Sequence, residues 1–214
     1  MQSTHLSRKA DLQGYNKSTR FLVVIIGILI GLGGVFHGVS ETLQGNKPAT
    51  DILERIGAFT IIPNYLLTGI AAITISILII IWTIGFIHKK HGPSIFLLLS
   101  ISLFFVGGGI AHVGVFLLTW AVATRINSPL SWWGKVLSEK PRKALAKLWS
   151  AFLIACTICL LIGIGIWLFL TPPGEMYVID IIDYTCWAFI SLGLLFFILA
   201  IISGFARDIE SRNS

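Results

Sequence analysis

From Ile95 to Ala123 the chain runs for 29 residues without an Asp, Glu, Lys or Arg, and Gly107-Gly108-Gly109 interrupts that run near its middle. A bilayer core is about 30 Å thick and takes about 20 helical residues to cross. One straight helix of this length reaches roughly 43 Å at about 1.5 Å per residue. Fitting it within the core needs a tilt near or beyond the usual limit of about 40°. The run is also short for two ordinary spans. Its path therefore decides the topology of everything that follows it.

The surrounding composition is that of a multi-pass membrane protein. Of 214 residues, 55% are hydrophobic and 12% charged, against about 25% charged in soluble domains. Four further apolar blocks, 21–39, 65–87, 149–170 and 184–205, hold 19 to 23 residues each, which suits one helical crossing. Unbroken apolar runs argue against a membrane barrel, which needs short alternating segments. The fold class expected is an all-α integral membrane protein with four full transmembrane helices plus a Gly-broken segment, either re-entrant or a pair of short spans. Residues 1–20 form a polar N-terminal tail, 21–207 one membrane domain and 208–214 a C-terminal tail. The first apolar block exceeds a signal-peptide core and no A-x-A-like site follows it, so a retained span is expected there. Cys156, Cys159 and Cys186 fall within or at the start of predicted spans, giving no sign of an extracellular disulfide framework.

Charge selects between paths for 95–123, because Lys and Arg collect in cytoplasmic loops. Four lie in the N-terminal tail, two in 40–62, two in His88-Lys89-Lys90-His91, six in 125–148, none in the acidic 171–183 link and two in the tail at Arg207 and Arg212. With the N-terminus inside, a single crossing leaves 6 positive residues inside and 10 outside. A segment that enters and returns leaves 14 inside and 2 outside. The second arrangement is preferred, with both termini cytoplasmic in a cell membrane. The triple glycine supplies the turn, since Gly tolerates backbone angles that other residues avoid. The alternative is one long helix whose glycines pack on a neighbour.

Several helix faces stand out. Gly27, Gly31, Gly34 and Gly38 recur at spacings of four, three and four, so one face of the first span admits close approach of a helix in this chain or in a second copy. Cys156, Cys159 and Gly163 form another small face. Cys156-Thr157-Ile158-Cys159 matches C-x-x-C formally, but thiols two turns inside an apolar span act as small hydrophobes. Thr50–Ile62 carries Ile52, Leu53, Ile56 and Phe59 at helical spacing, predicting a short surface helix capped by Asp51. Pro63 suits the first turn of the second span. Trp132, Trp133 and Trp149 bracket the basic 125–148 loop, which is expected to meet anionic lipid.

Ionisable residues inside spans are functional candidates by default. Here they are His37, Glu41 and His112, beside Gly107, Gly108 and Gly109, with Asn64, Tyr65 and Thr68 as weaker candidates. Gly33-Gly34-Val35-Phe36-His37 resembles Gly108-Gly109-Ile110-Ala111-His112 in local pattern. The leading reading is a small transporter or channel-like protein whose pathway passes the glycine break, as discontinuous helices do in transporters. A non-catalytic assembly protein, as a homo-oligomer or with a membrane partner, is the alternative. A third is b-type haem or metal held by His37 and His112; otherwise no cofactor is expected. A re-entrant path puts His112 nearer mid-membrane than His37, which weakens that pairing. No H-E-x-x-H, G-x-S-x-G or P-loop occurs, so enzyme chemistry is disfavoured. The net charge of +6 follows from membrane orientation and calls for no nucleic acid.

Overall fold

The computed structural model describes residues 15–49, 59–109, 112–170 and 181–213. These form seven helices: α1 Lys17–Thr42, α2 Tyr65–Gly85, α3 Gly92–Phe105, α4 His112–Ala123, α5 Ser131–Val136, α6 Glu139–Leu170 and α7 Ile181–Asn213. α1, α2, α6 and α7 are each long and apolar enough to cross a membrane. α3 and α4 are shorter apolar helices. The protein is thus all-α, with four membrane-capable helices and a broken fifth segment among the described residues.

α1 and α2 pack antiparallel through the glycine stripe. A methyl group at Gly27 would meet Thr83, one at Gly31 would meet Ile80, one at Gly34 would meet Ser76, and one at Gly38 would meet the Gly69 carbonyl. Those partners descend α2 as the glycines ascend α1. The stripe is therefore consumed within the chain. In lipid, where tails are as apolar as Leu, backbone approach of this kind is what holds helices together. The second small face behaves likewise. Gly163 lies against Ile190 and the Cys186 carbonyl, and the Cys186 Sγ donates to the Gly163 carbonyl at 3.2 Å. Cys156 and Cys159 are buried free thiols.

α3 and α4 form a hairpin. With 14 and 12 residues they reach about 21 and 18 Å. α3 starts beside the end of α2, where Trp82 Nε1 donates to the Gly92 carbonyl. It ends where Gly107 meets Glu41, one residue from the end of α1. α4 then returns. The Asn16 amide donates to the Ile126 carbonyl at 2.8 Å, and Asn127 Nδ2 donates to the His88 carbonyl at 2.7 Å. Both ends of 92–126 thus lie at the end where α1 begins, which is the parity the charge count favours. Each arm reaches about half the roughly 39 Å of α1, and the connections beyond the arms carry the hairpin to the level of Glu41 at Gly107 and of Asn16 at Ile126. Of the 13 Lys and Arg among the described residues, all but Lys47 lie at that same end.

α6 and α7 make a second antiparallel pair. Their union with the rest rests on the start of α1, whose first amides have no intrahelical partner. Asp208, buried in α7, accepts from the Ser18 amide at 2.8 Å, the Thr19 amide at 2.9 Å and the Thr19 hydroxyl at 2.6 Å. A carboxylate at a helix N-terminus also complements the positive end of the macrodipole. Asn16 works beside it, donating from Nδ2 to the carbonyls of Arg125 and Ser128. Phe21 on Trp149 and Trp133 on Phe205 extend the contact.

Three expectations need correction. α6 begins at Glu139, ten residues before the predicted span, and α7 continues to Asn213 through the predicted tail. Hydropathy detects the lipid slab, whereas Lys, Arg and Glu continue a helix readily in water; Glu139 and Lys143 pair at four-residue spacing there. Asn64, not Pro63, starts α2: its side chain accepts from the Leu67 amide at 3.1 Å, the role Asn fills best. Of the predicted surface helix, residues 50–58 lie outside the described residues, and Phe59 to Ile62 are not helical.

Asp208→Ala leaves the first α1 amides without their acceptor. We expect a loss of about 2–3 kcal/mol, typical of hydrogen bonds to a charged group, read as a lower unfolding midpoint in detergent. An unchanged midpoint would show that α7 does not hold α1 through this residue.

Candidate functional site

Where α3 breaks, the backbone leaves the helix and its polar groups need partners, because lipid offers none. The preceding segment supplies them. Thr60 and Val106 form an isolated antiparallel bridge. The Ile61 amide donates to the Phe105 carbonyl and the Gly107 amide to the Phe59 carbonyl, both at 2.9 Å. The Gly108 amide turns back to the Leu103 carbonyl at 2.9 Å. A side-chain chain adds to this. The Ile62 amide donates to Thr60 Oγ1, Thr60 Oγ1 and Thr68 Oγ1 lie 2.5 Å apart, and Thr68 Oγ1 donates to the Val106 carbonyl at 3.1 Å. Either hydroxyl can donate the middle bond, since Thr68 has the Val106 carbonyl and Thr60 the Ile62 carbonyl as a further acceptor. Phe59 stacks on Phe104 and meets Phe105 edge-on, shielding the turn.

Gly107 and Gly109 hold positive φ values of 93° and 83°, in the region where side chains with a Cβ are strained. Gly107 also faces the Glu41 carboxylate. Gly109 faces the imidazoles of both His37 and His112, with a hypothetical Cβ 2.8 Å from His37 Nε2 and 3.1 Å from His112 Nδ1. On α1, Gly33 faces His112 Nε2, at 2.5 Å from its hypothetical Cβ. The two Gly-Gly-x-x-His segments therefore clasp each other: a glycine of each receives the imidazole of the other. The rings meet edge to face with centroids 5.8 Å apart.

His37 and Glu41 share one face of α1 at four-residue spacing, and both are buried, at 5% and 3% exposure. His112 is half-buried. Glu41 Oε2 accepts no hydrogen bond among the described residues, and no Lys or Arg pairs with Glu41 there. The structure thus gathers His37, Glu41, His112 and Gly107–Gly109 into one place. The expected difference in depth between the histidines is not found. α3 carries the break up to Glu41, so the first turn of α4 lies level with His37. No group of three or more His, Cys, Asp or Glu among the described residues is placed to hold a metal ion. Of the weaker candidates, Thr68 belongs to the break and Asn64 caps α2. Asn64 Nδ2 also donates to Asn46 Oδ1.

Sequence reasoning missed Phe59, Thr60 and Ile61 as the strand-like brace. A signal was present. Thr60-Ile61-Ile62 is β-branched and runs into Pro63, which disfavours helix in the residue before it.

No protein-family model matches the chain, and neither a curated protein nor a solved structure matches it.

Gly107→Ala places a methyl group against the Glu41 carboxylate at a positive φ, so a loss of about 1–2 kcal/mol or more is expected from the backbone alone. Gly114→Ala, in α4 with open space around it, should be neutral or stabilising by up to about 1 kcal/mol. Thermal unfolding of both variants in detergent checks the contrast. Equal effects would mean that the break is not tightly built.

Proposed function

We propose that the protein is a small membrane transporter or channel-like protein that moves protons, or couples to them, through the Glu41–His37–His112 cluster. The observation that carries this reading is a buried carboxyl that has no ion-pair partner among the described residues, set against two clasped imidazoles at a broken hairpin. Inside a bilayer such groups are costly and mark ion or proton pathways. A carboxyl and an imidazole at neighbouring positions can pass a proton between them, because each has a form that donates and a form that accepts. Broken helices expose backbone to a pathway in transporters of many kinds. The positive-inside rule places the basic end at the cytoplasm and the cluster near the opposite face, in a cell membrane.

The test is proton flux in sealed vesicles with an internal pH-sensitive dye. Wild-type protein is expected to collapse an imposed pH gradient faster than empty vesicles. Glu41→Gln or His112→Gln should slow that flux on the order of a hundredfold, the usual weight of a positioned proton-transfer group. Gly114→Ala should leave it unchanged. Wild-type flux no greater than that of empty vesicles, or full flux in Glu41→Gln, would overturn the reading.

The closeness of His37 and His112 supports a second reading, a b-type haem ligand pair. In its disfavour, each Nε2 faces glycine backbone rather than a common space between the rings. An absorbance spectrum of protein from haem-replete cells separates the two: a Soret band lost in His112→Gln would replace the transport reading. The assembly reading loses its main support, because α2 of the same chain fills the glycine stripe.

A further inference from the structure

At the basic end, far from the cluster, α6 and α7 flank an open, shallow groove of about 570 Å³ lined by Lys143, Ala146, Lys147, Ser150, Arg207 and Glu210. The α6 residues recur at three- and four-residue spacing, so they share one face. Glu210 is engaged by Arg142 at 2.5 Å. Lys143 meets Glu139 only in an exposed pair, which contributes little. Lys147 and Arg207 form no ion pair among the described residues. The Arg207 guanidinium lies over the Trp149 ring, 4.6 Å from its centroid, which holds the cation at the groove while its N–H edge stays available. Ser150 adds a hydroxyl donor, and the small Ala146 leaves room beside it.

A second observation concerns what lies next to the groove. Ser150 leads directly into Ile154, Ile158 and Leu161 on the same face of α6, and these are 58%, 50% and 49% exposed. A cationic, donor-rich groove thus opens onto an exposed apolar ridge that begins one turn away. That is the shape of an amphiphile with an anionic head.

We propose that this groove binds the phosphate of an anionic phospholipid headgroup, with Lys147 and Arg207 as its principal cations, Lys143 and Ser150 as supporting donors, and the acyl chains along the Ile154–Leu161 ridge. Lys143 and Lys147 belong to the basic 125–148 segment, and pairing them with Arg207 of α7 makes a local site rather than a general attraction of that segment to a charged surface.

The experiment is native mass spectrometry of the full chain released from phosphatidylcholine membranes with or without phosphatidylglycerol. The paired variant Lys147→Gln/Arg207→Gln is compared with a charge-matched control, Lys135→Gln/Lys140→Gln, which lies outside the groove. Phosphatidylglycerol should stay bound to wild type and to the control. Retention by the groove variant should fall by tenfold or more, in line with about 1 kcal/mol for each basic residue at an anionic headgroup. Excess inorganic phosphate should not displace the lipid. Equal losses in both variants would reduce the site to diffuse surface charge and overturn the proposal. Displacement by inorganic phosphate would mark a site for soluble phosphate and overturn it as well. Should the paired variant fail to fold, Lys147→Gln alone decides: a loss of about fivefold supports the site, and unchanged retention refutes it.

Discussion

Backbone amides and carbonyls that leave a helix inside a bilayer must find partners in the protein. That constraint governs residues 106–109, and much else depends on how it is met. Phe59, Thr60 and Ile61, just ahead of α2 and at the same end as the break, pair with the backbone where α3 gives up its helical bonds. Thr68 holds the Val106 carbonyl from α2. With those groups satisfied, the chain can reverse at Gly107 and Gly109. The reversal sends α4 back to the basic end and puts the 125–148 segment there, and α6 starts from the same side. The same turn brings His112 level with His37 and places Glu41 against Gly107. The polar cluster is a consequence of the turn, and the glycines serve both. They permit the positive φ, and they leave the space that the imidazoles and the carboxylate occupy.

The opposite end is held by a different device. α1 is the helix that both parts of the molecule touch, and its unpaired N-terminal amides serve as the fastening point. Asp208 brings α7 to it, and Asn16 brings the end of the α4 return. Apolar burial cannot do this alone in a membrane, because separating two helices there exposes them to an equally apolar solvent. Directional bonds at the water boundary and close glycine contacts in the slab take its place. The two devices meet on α1, which runs from the Asp208 fastening to the Glu41 contact.

Much of this was legible in the sequence because it follows from charge and periodicity. The Lys and Arg distribution indicates a returning hairpin, and the described structure returns. The Gly27–Gly38 spacing indicates a helix-packing face, and α2 fills it. The pairing of Gly33–His37 with Gly108–His112 was visible as a pattern, but its reciprocal packing was not. That packing depends on how far α3 climbs before it breaks, a three-dimensional quantity with no local signature. The ends of α6 and α7 lie beyond the apolar blocks because hydropathy reports lipid contact rather than helix length. Asp208 was invisible as a fastening residue because its partners lie 189 and 190 positions away. The signal at Thr60 is not distinct, because the helical period of its neighbours outweighs the β-branched run before Pro63.

The central claim is that 92–126 goes in and comes back, since the break, the cluster and the common basic end all require it. The most direct test is the sidedness of two single cysteines, at Asn46 and at Ser138, in an otherwise cysteine-free protein in intact cells. A membrane-impermeant thiol reagent should label one of them from outside and the other only after permeabilisation. Labelling of both from the same side would mean that 95–123 crosses once, and the hairpin with its histidine clasp would not stand.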